Sequence, residues 1–209
     1  PDSNSWQSYL NKGIDFSVFK KIYNSGAKLL LTNYASLLPY AAGIESVKPE
    51  VHLARIEDNW LFDKKGLQSW KGHTVFYDLF GGAFVLDDYE DHTLPLIGYY
   101  DDVFPLEGRV VAVEKSYIRI HPKRKLMIEY DNGAGQILTI GGMVYLGQKN
   151  RVDFKLHKLL ENSLQYLAGK KSYPNTYWRS FEYRPRSFTV KTAGVKAPSV
   201  QDRKLKNIP

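Results

Sequence analysis

The chain has no cysteine in 209 residues, which removes disulfides, thiolate metal sites and a cysteine nucleophile together. No apolar run approaches the roughly 18 residues that would cross a bilayer, so no membrane span is expected. The five histidines, His52, His73, His92, His121 and His157, are scattered. None stands four residues from another at a metal-binding spacing, so no metal or other cofactor is expected. Pro1-Asp2-Ser3-Asn4-Ser5 lacks the basic start and apolar centre of a signal peptide, so the segment reads as either cytoplasmic or a mature, processed piece.

The formal charge is +7, and its placement decides what it means. Residues 170 to 209 hold ten Lys or Arg against Glu182 and Asp202, whereas residues 1 to 169 hold 19 basic and 20 acidic residues. The body is therefore neutral and the basicity belongs to an extension. Tyr173, Tyr177, Trp178, Phe181 and Tyr183 are interleaved with its charges, a pattern that can follow a phosphate backbone. The plainer reading packs those rings on this or a neighbouring domain and leaves the charges solvated. No nucleic-acid partner is expected. Residues 1 to 169 read as one domain, and 170 to 209 as a basic, aromatic extension or linker that could meet a neighbouring domain or chain.

Asp15 to Ser25 has helical periodicity in Phe16, Phe19, Ile22 and Tyr23, a cap in Asp15 or Ser17, and a stop at Gly26. Lys28 to Thr32 reads as a buried strand, followed by a helix from about Ser36 to Ala42 that Gly43 closes. Between Glu45 and Gly72 the pattern weakens to loops with one candidate strand, Val51 to Ile56, and Trp60 and Trp70 as anchors. His73 to Phe80 is a short helix or strand, and Phe84-Val85-Leu86 a brief strand. The acidic stretch Asp87 to Asp102 reads as surface. Gly108 to Ser116, Ile118 to Ile120 and Lys125 to Tyr130 alternate as strands, and Asp131 to Gly135 turns the chain into a strand at Gln136 to Gly141. Phe154 to Leu167 is an amphipathic closing helix ending at Gly169. Strand, turn and helix in this order predict an α/β fold: a three-layer sandwich on a mostly parallel, doubly wound, flavodoxin-like sheet, with a C-terminal hairpin region and a closing helix.

Three segments carry a family resemblance: Gly26 to Thr32 with the turn after it, Glu129 to Gly142, and Asn162 to Gly169. Together they resemble the class I glutamine amidotransferase-like superfamily, including its trehalose-utilisation-type branch, over about Phe16 to Gly169. Active members of that family carry a Cys on the elbow after the first of these strands, then a His with an acid two residues beyond it. Here the elbow offers Asn33 or Tyr34, and Met143 to Asn150, where the His is expected, contains none. Neither an amide nor a phenol forms an acyl-enzyme unaided, so amidotransfer is not expected. The resemblance also implies a leading strand upstream of this segment. It points to extracytoplasmic, polysaccharide-processing proteins of gut-type bacteria as the setting.

An elbow projects its side chain toward the crevice where α/β sheets bind ligands, which nominates Asn33 and Tyr34. Aromatic residues make up 14% of the chain, and exposed rings stack on sugars while acids and amides read hydroxyls. Trp60, Trp70, Tyr99, Tyr100 and Trp178, with Asp101 and Asp102, are the carbohydrate-contact candidates; ordinary packing is the alternative for the rings. Asp87, Asp88, Glu90, Asp91 and His92 together with Asp101 and Asp102 offer oxygen ligands, but not in a calcium-loop spacing. The expectation is a non-catalytic carbohydrate-binding or structural module. The competing reading is a glycan hydrolase using carboxylates of residues 87 to 102, or a site completed by another domain. A third reading is a docking domain that contacts its partner through the basic extension.

Overall fold

The computed structural model describes residues 15–55, 65–79, 82–86, 93–116, 119–142 and 154–169. Helix α1 (Ser17–Asn24) leads into β1 (Lys28–Thr32), a 3-10 turn (Asn33–Leu37) and the short α2 (Leu38–Ala41). The strands β2 (Glu50–Arg55), β3 (Lys65–Ser69), β4 (Ala83–Leu86), β5 (Thr93–Tyr100), β6 (Arg109–Ser116), β7 (Arg119–Asp131) and β8 (Gln136–Ile140) follow, with a 3-10 turn (Thr74–Phe76) between β3 and β4. Helix α3 (Phe154–Leu167) closes the order.

The sheet is not the doubly wound parallel one expected from the sequence. Its strands run β1-β8-β7-β6-β3-β4, with β5 joined to β7 and β2 joined to β5. Among the described strands, β1 with β8 is the one parallel pair, and every other pairing is antiparallel. The result is a strand-rich, mixed sheet curled into a half-barrel, not a helix-flanked flavodoxin-like sandwich. The parallel signal was real but local: Lys28–Thr32 does pair in parallel, and its partner lies more than 100 residues away along the chain.

Two features produce the curl. Strand β7 is a single 13-residue strand where two separate ones were expected. Its register against β6 jumps from His121↔Glu114 to Lys125↔Val113, leaving Pro122 to Arg124 without partners on that side. A proline has no amide hydrogen for a ladder, and a bulge is where a strand tolerates it. On its other edge β7 serves two strands, β8 over residues 127–131 and β5 at residues 124–125. At that fork the Gly141 amide donates to the Leu126 carbonyl at 2.7 Å, and the Ile97 amide donates to the Gly141 carbonyl at 2.7 Å. A Cβ on Gly141 would lie 1.6 Å from the Ile97 oxygen, and one on Gly98 would lie 2.1 Å from the Lys125 oxygen. Only glycine lets the two strands part there.

One helix covers each face. Leu156, Leu159 and Leu167 of α3 pack with Leu67, Phe76, Met127, Leu138 and Ile140, while Tyr23 of α1 packs with Tyr130 and Ile137. The alternation of Ile137 with Leu138 and Ile140 across the two clusters is the period-2 placement a strand imposes. The expected surface stretch from Asp87 to Asp102 is corrected in its second half, since residues 95–100 of β5 are buried. Acidic flanks, Pro95 and Gly98 hid that strand. Strand β3, which joins β6 to β4, was also missed, because Lys65-Gly66-Leu67-Gln68-Ser69 has no alternation to read.

Candidate functional site

Strand β7 carries Leu126-Met127-Ile128-Glu129-Tyr130, and Glu129 is the one acid in that apolar run. Its side chain is only 2% exposed. A carboxylate so buried is stable only when its oxygens are satisfied, and four elements supply the donors. Tyr166 of α3 donates to Oε1 at 2.6 Å and Gln136 Nε2 of β8 at 2.7 Å. Arg109 of β6 reaches Oε2 through Nε at 3.0 Å and through Nη2. His73, at the start of the 3-10 turn, brings Nε2 to 3.4 Å from the same oxygen.

Burial alone would raise the Glu129 carboxyl, but hydrogen bonds from His73, Tyr166, Arg109 and Gln136 outweigh it and hold the group far below the ordinary carboxylate range. The same bond acts in reverse on its partner: burial and the Glu129 contact push the Tyr166 phenol up to about 12. His73 Nδ1 accepts the Val75 amide at 3.4 Å. With Nδ1 assigned as acceptor, Nε2 carries the proton and faces Glu129; Nε2 also lies 3.2 Å from Arg109 Nη2. The His73 ring also meets Tyr166 edge-on at 4.8 Å.

Above this cluster opens a cavity of about 370 Å³ lined by Trp70, Lys71, His73, Phe104, Pro105 and Arg109 among others. Pockets for small ligands begin at about that size. Its far wall is formed by Phe104, Pro105 and Gly108 of the segment 101–108, and two buried charges fix that segment. Lys125, fully buried, donates from Nζ to the Asp101 and Val103 carbonyls at 2.6 and 2.7 Å, and its ammonium lies 4.0 Å from the centre of the Phe104 ring. Glu45, 2% exposed, accepts the amides of Leu106, Glu107 and Gly108 as well as that of Val47. Glu107 in turn accepts the Ser46 amide and hydroxyl at 2.9 and 2.7 Å. This wall is built before any ligand arrives, although it is a loop.

No family model, curated protein or solved structure matches this chain. The site is therefore read from its own geometry.

Of the residues nominated from sequence, Trp70 lines the cavity. Tyr99 and Tyr100 do not face a ligand: they are 1% and 5% exposed, and their hydroxyls bind the Val47 and Leu96 carbonyls. Their place in an apolar strand explains both the burial and the error. Asp101 and Asp102 sit in the exposed turn after β5, where Asp101 adopts φ 48° and Asp102 pairs with Lys123 at 3.3 Å. Trp60, Trp178, the acids from Asp87 to Asp91 with His92, the segment Met143 to Asn150 and the extension 170–209 lie outside the described residues.

The elbow has the expected backbone. Thr32 is extended, Asn33 has φ 54°, and the 3-10 turn starts at once. Its amide is tied to the Gly142 carbonyl at 3.2 Å, and Ser36 Oγ donates to the Ile140 carbonyl at 3.1 Å. Tyr34 is buried with Leu37 and Ile97. Among the described residues, neither the Tyr34 hydroxyl nor Asn33 Oδ1 has a hydrogen-bond partner. The tip is thus filled by its own phenol ring.

Sequence reading missed Glu129, His73, Arg109, Tyr166, Gln136, Lys71 and Phe104. The signal for Glu129 was present, since a lone acid inside an apolar strand needs buried partners. Its partners come from four separate segments, and nothing in the sequence links them. Among the described residues, no group of three His, Asp or Glu side chains could hold a metal ion, and no helix is long and apolar enough to cross a membrane.

Proposed function

We propose that this chain is a non-catalytic binding module whose cavity at Trp70 and Phe104 takes a sugar ring, within an extracytoplasmic glycan-processing protein. One observation carries the reading: the cavity is open, yet every polar group on its inner side is already committed. Glu129 is ionised and accepts from four side chains, Tyr166 is held protonated, and both His73 nitrogens are occupied. General acid–base chemistry needs a group free to gain or lose a proton near neutral pH, and the Glu129 carboxyl and the Tyr166 phenol are both held away from that range. What faces outward is an aromatic and cationic lining, suited to stacking and hydrogen bonding. The sugar-ring reading rests on this cavity; the extracytoplasmic setting is carried over from the amidotransferase-like resemblance, whose parallel sheet is not the one found here.

The test is affinity electrophoresis of the protein through gels containing single polysaccharides, with the Trp70→Ala variant alongside. The expected outcome is retardation by at least one glycan, lost in the variant, with no new reducing ends. Release of reducing ends that persists on purification would overturn the module in favour of a hydrolase.

A further inference from the structure

We propose that the cavity selects an acidic sugar unit, one carrying a carboxylate or a sulfate ester; this rests on the glycan reading above and narrows its ligand class. Among the described residues, the lining contains two cations, Lys71 and Arg109, and no carboxylate. Glu129 lies beneath it, while Glu107 and Asp102 of the neighbouring segment are engaged by Ser46 and Lys123.

Arg109 is the anchor. Its Nε and Nη2 are directed at Glu129, which fixes the plane of the guanidinium from the inner side. A guanidinium has five N–H donors, and two suffice for that contact. Nη2 also lies 3.2 Å from His73 Nε2, which leaves the Nη1 end of a side chain that is 66% exposed. The Nη1 end is thereby held in one orientation, a charged donor for a carboxylate or sulfate oxygen. Holding the guanidinium beforehand removes most of the ordering cost that a free surface arginine would bear on binding.

Lys71 adds a second charge beside it. It is exposed, and no ion pair to it is formed among the described residues. Trp70 and Phe104 give the apolar surface on which the C–H face of a pyranose lies, while the acid group reaches the cations. Phe104 is 49% exposed although it is large and apolar. Lys125 and Glu45 keep its loop in place, so that exposure is built in.

The test uses the full chain and three oligosaccharides of equal length: a trigalacturonate, its carboxyl-reduced neutral counterpart, and a sulfated neutral trisaccharide, each measured by calorimetry. Short ligands are chosen because the basic extension would attract any long polyanion. The expected result is at least about ten-fold tighter binding of one acidic ligand than of the neutral one, the equivalent of one charge-assisted contact, with affinity falling as salt rises. Lys71→Gln weakens acidic binding several-fold and Trp70→Ala abolishes it. Arg109→Gln is expected to weaken it more, and its thermal midpoint is read in parallel because Glu129 loses a partner. The carboxylated and sulfated arms decide which anion fits, and preference for either supports the inference. Equal binding of neutral and acidic ligands, unchanged in Lys71→Gln, overturns the acidic selection while leaving the glycan reading standing. Acidic binding that survives both Lys71→Gln and Trp70→Ala lies elsewhere on the chain and also overturns it. Binding of none of the three, with no polysaccharide retarding the protein, removes both.

Discussion

Replacing Glu129 with Gln keeps the shape of the side chain and removes the charge on which Arg109, His73, Tyr166 and Gln136 converge. The carboxylate accepts at both oxygens, whereas an amide accepts at one and presents an NH₂ at the other. Whichever way the amide is turned, its NH₂ faces either the Tyr166 and Gln136 donors or the Arg109 and His73 donors. Removing one partner of a buried ionic cluster costs about 3–5 kcal/mol. Arg109 is largely exposed and regains water, which places the expected loss near the lower end, about 3 kcal/mol. For a chain of this size that corresponds to a fall in Tm of roughly 6–12 °C. Urea unfolding followed by circular dichroism reads the same quantity. The pH dependence supplies a second readout. The native carboxyl is held far below its ordinary value, so the unfolded chain takes up its proton first as pH falls. This stabilisation is fully present above roughly pH 4.5 and is lost as acidity increases toward the native value. Glu129→Gln is therefore expected to flatten the acid limb of the stability curve. A variant within about 0.5 kcal/mol of the wild type, the range of ordinary surface changes, with an unaltered acid limb would mean that the Glu129 charge does not hold this cluster together.

Lys125→Met keeps the apolar stem but removes the donors to the Asp101 and Val103 carbonyls; it is expected to cost about 1–3 kcal/mol and to speed amide hydrogen exchange across residues 103–108. Exchange unchanged there would mean that Glu45 alone holds the loop. Gly141→Ala drives a methyl into the Ile97 carbonyl at the strand fork, so a loss above about 3 kcal/mol or an insoluble product is expected; a well-folded variant would show that the fork opens readily. Tyr34→Phe removes a buried hydroxyl that has no partner among the described residues, so stability is expected to hold or rise by up to about 1 kcal/mol. A clear loss on denaturant titration would reveal a partner for the phenol.

Several local features were legible in the sequence because their causes are local. The elbow needs a residue that tolerates positive φ between a strand and a helical turn, and Asn33 is such a residue. The helix stops at Gly26 and Gly43 follow the same rule, and both have positive φ. The turn at Asp131 to Gly135 is set by Asn132 Oδ1 accepting the Ala134 and Gly135 amides. Helix α3 was readable from its own period. By contrast, Tyr99 and Tyr100 looked like surface aromatics because charge lies on both sides of β5 in sequence, while in space that strand is inside.

Local order along the chain therefore sets the elements whose hydrogen bonds close within a few residues, and the missing thiol excludes cysteine chemistry. The sheet and the cavity exist only through long-range packing. Where along one edge of β7 strand β8 gives way to β5 depends on two glycines some 40 residues apart that must meet without side chains. The cavity depends on a buried acid gathering donors from β6, β8, α3 and the turn at His73. Contacts of that range leave no periodicity in the chain, since their energy is realised only once the backbone has brought the partners together.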